Sequence, residues 1–252
     1  MLKGNDVWKY LLSLTIACVA SIQVNGQLTT DADFKRQVYD RDFTFGIMLN
    51  TQGYGINGRY GFLTSGYTKD AIELDIVNIR HPKENKTYPD FLSNSAGFVF
   101  GRVNSLYVVR TGYYRERVLH DKTDRGTVSV NFHYATGVSW GFLKPIFVQV
   151  QSQEGNNFIL EERYDPSAPD RIIRGQAGFF RGINETTIVP GLYFKGGFSF
   201  DNHERDERVR SLEVGVIIDT FLNEMTIMHE VNNHSVFIQL YLAINFGKKW
   251  TL

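Results

Sequence analysis

The sequence predicts an all-β protein, an eight-stranded antiparallel up-and-down transmembrane β-barrel with long outer loops and one short loop helix. Three observations carry this. Residues 127–142, TVSVNFHYATGVSWGF, put bulky side chains at even positions (Val128, Val130, Phe132, Tyr134, Val138, Trp140, Phe142) and small or polar ones at odd positions. Strand side chains alternate faces, so this segment has one apolar and one polar face; a helix would mix the two sets. Seven more segments alternate in the same way, and an even strand count is what single-chain bacterial barrels have. Finally, short connections at 64–66, 121–126 and 202–207 interleave with long ones at 81–104 and 151–185, as periplasmic turns and outer loops do.

Residues 1–26 read as a secretory signal. Lys3 and Lys9 precede an apolar run at 11–20, too short to span a bilayer as a helix, and Gly26 is a small residue before cleavage at Gln27. The competing reading is a lipoprotein with Thr15-Ile16-Ala17-Cys18 as lipobox, against which Thr15 stands where such boxes carry Leu. Cleavage before Gln27 removes Cys18, the one cysteine, and with it any disulfide framework. It also leaves 25 basic against 26 acidic side chains. That balance excludes the basic face of a nucleic-acid binder. Residues 27–42, polar and charged, read as a periplasmic N-terminal arm, and 43–252 as the barrel.

The strands follow in order. The first, 43–51, turns Phe43, Phe45, Ile47 and Leu49 outward. The second, 56–63, turns Arg59 inward, and the third, 68–80, turns Glu73 and Asp75 inward with Ile72, Leu74 and Ile76 out. Alternation breaks at Val77, which suggests a bulge or the point where the strand leaves lipid. The fourth, 106–119, turns Tyr107, Val109, Thr111 and Tyr113 out and Arg110 in. The fifth is the segment at 127–142, with an extension past Pro145 into 146–150; it turns His133 inward. In the following connection, 171–182 has the residues of a short amphipathic helix, weakened by Gly175 and Gly178. The sixth strand, 186–201, turns Lys195 inward; Pro190 lacks a ladder donor and suggests a bulge. The seventh, 209–221, turns Glu213 and Asp219 inward, and the eighth, 235–247, shows Val236, Ile238, Leu240, Leu242, Ile244 and Phe246 to lipid. A soluble lipocalin-like barrel would put its bulky face inward around a ligand, whereas here the face rich in glycine and charge suits a narrow lumen.

The last strand ends NFGKKW at 245–250, which resembles the aromatic-terminated strand that outer-membrane assembly machinery recognises. The resemblance implies that role for Phe246 and Trp250, although Thr251 and Leu252 follow the aromatic residue. The mature chain resembles small eight-stranded barrels of the OmpA/OmpX type. ELDIVNIRHPKE at 73–84 and NSLYVVRTGY at 104–113 resemble more closely a largely uncharacterised barrel family of the Bacteroidota, which brings no known activity with it.

The inward charges Arg59, Glu73, Asp75, Arg110, Lys195, Glu213 and Asp219, with His133, form a candidate lumen network. Its expected role is structural, since an eight-strand lumen is just wide enough for side chains to fill and unpaired buried charge is costly. A Ser129–His133–acid triad on Glu73 or Asp75 would make the chain a lipid-modifying enzyme, but an inward His133 cannot reach an acyl ester in the bilayer. HEVNNH at 229–234 misses the HExxH zinc spacing by one residue, so no metal or cofactor is expected. Arg171, Arg174, Phe179, Phe180 and Arg181 in the longest loop form a candidate surface for a partner protein or for outer-membrane lipid. The function expected is non-enzymatic, that of a structural or accessory subunit binding through its outer loops.

Overall fold

A computed structural model describes residues 40–65, 67–84, 86–87, 98–120, 128–151, 159–167, 173–201, 208–229 and 233–251. The predicted signal segment and most of the predicted arm lie outside these residues. Among the described residues the strands in chain order are β1 (Arg41–Asn50), β2 (Gly53–Ser65), β3 (Thr68–Ile79), β4 (Lys86–Thr87), β5 (Phe98–Val99), β6 (Asn104–His120), β7 (Ser129–Pro145), β8 (Phe147–Gln151), β9 (Ile159–Arg163), β10 (Ile173–Gln176), β11 (Thr187–Asp201), β12 (Arg208–Met225) and β13 (His234–Trp250). Eight of them, β1, β2, β3, β6, β7, β11, β12 and β13, pair antiparallel in that order, and β13 returns to β1 to close the ring. Closure leaves the barrel without an edge strand.

The barrel begins earlier than alternation suggests. Arg41 pairs with Trp250 and with Phe62, and Asp42, expected in the arm, points inward to Lys69 at 3.0 Å. A polar strand end hides among arm residues because this lumen accepts charge. Three further expectations are corrected. Val77 marks no bulge: the β2–β3 and β3–β6 registers run unbroken through it, and its side chain is buried in the lumen. Pro190 marks no bulge either. It pairs in register with Trp140, and the β11–β12 ladder starts one residue later at Gly191, so on that side no ladder donor is missed. The fifth strand stops at Pro145, and β8 belongs instead to a separate sheet in the order β10-β8-β9.

The predicted helix over 171–182 does not form among its described residues. Ile173–Gln176 is β10, paired to β8 with a register shift between Ile173 and Gly175. Ile173 packs on the small core of Ile146, Val148, Val150 and Tyr164, and that tertiary contact outweighs a helix already weakened by two glycines. A tight turn follows and runs into a single 3-10 turn, Ile183–Glu185. Gly182 enters it at φ 79°, a left-handed conformation suited to glycine, 2.6 Å from the Phe147 ring to where a Cβ would stand.

Even and odd positions separate as a barrel requires. Along β13, Val236 to Phe246 show alternate apolar side chains outward. That is a run of about 33 Å, or about 25 Å of height after strand tilt, the height of a lipid-facing belt. The matching outer positions of the other strands are exposed and apolar, from Phe43, Phe45, Ile47 and Leu49 on β1 to Leu192, Phe194 and Phe198 on β11. At the end of the barrel holding the short turns, the belt gives way to Arg41 over the Tyr60 and Phe62 rings and to Asp70 bonded by Arg115, Tyr113 and Thr64. Aromatic and charged groups together suit the headgroup level.

Candidate functional site

The lumen is built in layers. Nearest the short turns, Lys69 meets Asp42 at 3.0 Å and Glu116 at 3.7 Å, while Asn131 donates to Glu116 and Asp201. Above it, Arg59 grips Glu213 with both terminal nitrogens at 2.6 Å and donates from Nε to Glu73 at 2.9 Å. Lys195 joins Glu73 at 2.8 Å to Asp75 at 3.3 Å. Arg110 makes a two-point pair with Asp219 at 2.8 and 2.7 Å and approaches Asp75 at 3.9 Å. All seven predicted lumen charges are therefore buried and joined across five strands. Two-point arginine pairs are the geometry in which buried charge is best compensated.

Aromatic rings hold this layer in place. Tyr114 lies under the Arg59 guanidinium, 4.4 Å from its carbon, stacks on His133 and donates to Glu116 at 2.7 Å. Lys195 sits 5.1 Å over the Tyr241 ring, whose hydroxyl hydrogen-bonds His133 Nε2. Inward glycines make the space: a Cβ on Gly112 would stand 2.5 Å from the Tyr193 hydroxyl, and one on Gly215 would stand 2.8 Å from the Tyr241 ring. Sequence reasoning turned Tyr193 and Tyr241 inward without joining them to the network, and it missed Tyr114, Glu116 and Asp42 as lumen groups. Parity was the available signal, since Asp42 continues the inward positions of β1, and Tyr114 and Glu116 those of β6.

His133 belongs to this aromatic stack and not to a triad. Ser129 Oγ bonds the His120 carbonyl at 3.2 Å and Asn131 at 3.0 Å, away from the His133–Tyr241 pair. Toward the loop end the filling turns apolar. Met48, Val77, Ile79, Leu106, Val108, Val189, Phe221, Met225 and Phe237 form one buried cluster. Ile227 and Met228, from the connection after β12, fold into the same cluster. The Ile227 carbonyl accepts from Val103 and Asn104, and Asn233 accepts from Ile227 and donates back to Met228. Among the described residues no group of His, Cys, Asp or Glu is arranged to hold a metal, and of HEVNNH only His229, Asn233 and His234 are described.

The loop candidates separate. Arg171 lies outside the described residues, and of Arg174 only the backbone, in β10, is described. Phe179 and Phe180 stand together, edge to face at 5.4 Å, and both are exposed. Phe179 rests on Tyr107 of the outer wall at 6.1 Å and under Lys144 at 5.0 Å. Arg181 lies over Phe147 and reaches Glu161 of β9 at 3.4 Å. Of the two terminal aromatics, Phe246 faces outward in the belt, and Trp250 pairs with Arg41 and packs on Tyr60 at the seam.

The even ring, apolar belt and charged interior are those of the bacterial outer-membrane class. The chain is a closed eight-stranded antiparallel barrel with an apolar outer wall. No family model matches the sequence, and no curated protein matches it. Similar solved structures include Ail, the attachment invasion locus protein of Yersinia pestis, crystallised with the heparin analogue sucrose octasulfate. It is 8% identical over 84% of this chain and 99% of that one, with a TM-score of 0.42. Neisserial surface protein A is 8% identical over 84% and 96%, with a TM-score of 0.41. The N-terminal β-barrel domain of Pseudomonas aeruginosa OprF is 7% identical over 84% and 99%, with a TM-score of 0.36.

Proposed function

We propose that the protein is a non-enzymatic surface barrel, a structural or accessory subunit that uses its filled lumen as a rigid mount. It binds a protein partner or surface glycolipid through its outer loops. The observation that carries this reading is a contrast in burial. The lumen charges are buried and paired, while Phe179, Phe180 and Arg181 stand exposed at the loop end. Exposed aromatic groups beside a cation are what binding surfaces use.

Affinity purification from the native membrane in mild detergent tests it. A partner recovered with the wild type and lost when 178–182 is replaced by a Gly-Ser segment supports the reading. Recovery indifferent to that replacement overturns the assignment of the site. A lipid-modifying enzyme would need a nucleophile and base open to the bilayer; the placement of His133 and Ser129 in the lumen supports the non-enzymatic reading. A change in lipid A acyl composition on deleting the gene would overturn it. Cleavage before Gln27, a periplasmic N-terminus, an assembly signal at Phe246 and Trp250, and kinship with the Bacteroidota barrels belong to the same proposal. They rest on the sequence patterns that suggested them.

A further inference from the structure

The turn carrying Phe179 and Phe180 stands on the flank of the barrel and not over its mouth. Phe179 touches Tyr107, an outer-face residue of β6 that pairs with outward Phe142 of β7. One pair further down lie outward Val109 and Trp140, and across β7 lies Ile188, 55% exposed. The aromatic pair thus continues the lipid-facing belt upward without a gap. The mouth is filled from elsewhere, by Ile227 and Met228.

The turn is also firmly built. Arg181 N donates to the Gly178 carbonyl at 3.0 Å, Ala177 N to Phe147 at 2.9 Å, and Thr186 N to Ile183 at 3.1 Å. Arg181 ties it to Glu161 of the loop sheet. Yet Phe180, at its tip, is 81% exposed, and Ile183 beside it is 44% exposed. A rigid turn that holds a large aromatic side chain out from a lipid-facing wall presents it to whatever surrounds that wall. Rings of this kind settle at the boundary between acyl chains and headgroups, with cations just above.

We infer that residues 178–185 are a membrane foot. Phe179 and Phe180 enter the acyl–headgroup boundary of the bilayer, Arg181 stays at headgroup level, and the β8–β10 sheet is pinned to the membrane surface beside the barrel. This names lipid as the occupant of the proposed loop site. It rests on that reading for which leaflet is met, and on geometry alone for the contact.

The test is site-directed spin labelling in vesicles of phosphatidylcholine. Cys18→Ser removes the native cysteine of the full chain. Phe180→Cys then reports the foot, and Thr226→Cys, exposed at the mouth, reports the water side. Heat-modifiable gel mobility confirms folding of both variants. The expected result is a ratio of oxygen to nickel-complex accessibility several-fold higher at 180 than at 226. A label at 180 as open to the nickel complex as the one at 226 overturns the foot. The co-purification above fails or succeeds separately. A protein partner dependent on 178–182 together with a water-exposed label would sink the lipid assignment and leave the loop-binding reading standing.

Discussion

From the short turns to mid-height, the lumen is filled by ion pairs: Arg59 with Glu213 and Glu73, Lys195 with Glu73 and Asp75, Arg110 with Asp219. From Val77 and Val108 to the loop end, the inward positions hold mostly apolar groups, with Gln239 buried among them, closed over by Ile227 and Met228. Both regions are equally buried. They differ in what a neighbour must supply. An ion pair needs a particular partner at a particular angle, whereas an apolar cluster needs volume. The ionic region therefore depends on identity and the apolar region on size.

Arg59→Met should break the ionic region hardest. It leaves Glu73 and Glu213 without their shared cation, at a cost of roughly 3–5 kcal/mol. Urea unfolding in micelles measures it, and adding Glu213→Gln should recover part of the loss, a coupling that independent sites would not show. Phe221→Ala in the apolar region should cost about 3–5 kcal/mol through the cavity it leaves, whereas Phe221→Leu should cost much less. The conservative exchanges sharpen the contrast. Leu240→Met in the belt or Ile217→Leu in the lumen should cost under about 1.5 kcal/mol, because volume is kept. Arg59→Lys should cost more than that despite keeping its charge, since lysine loses the two-point grip on Glu213. Equal costs for Arg59→Lys and Ile217→Leu would erase the distinction between the regions.

Outside the lumen, the effects should shrink. Arg115→Gln removes a half-exposed pair with Asp70 and should cost about 0.2–1 kcal/mol, diminishing as salt is added. The Arg59 effect should barely respond to salt, because its partners are buried. Phe180→Ser should change barrel stability by less than about 0.5 kcal/mol, since its ring packs on little but Phe179. A larger loss would mean that the turn supports the fold and is not a free contact surface.

Strand faces were legible because they follow from a local period of two. Residues 127–142 declare Phe132 and Trp140 outward and His133 inward with no knowledge of any neighbour. The misreadings fall where that period is silent. Val77 and Pro190 looked irregular because inward apolar groups and a ladder-free strand end depend on adjacent strands. Segment 171–182 looked helical because Ile173 had no visible core to join; the docking of β10 on β8 supplied one.

By itself, the sequence determined the strand count of the barrel, the inside-out distribution of its side chains and the charged character of the lumen, since each is carried by side-chain order along individual strands. Only the tertiary structure decided which charges pair, that Ile227 and Met228 fill the mouth, and that Phe179 leans on the outer wall. Those outcomes depend on register between strands far apart in the chain: Arg59 and Glu213 are 154 residues apart. A shift of two residues in any ladder would keep every face and change every partner.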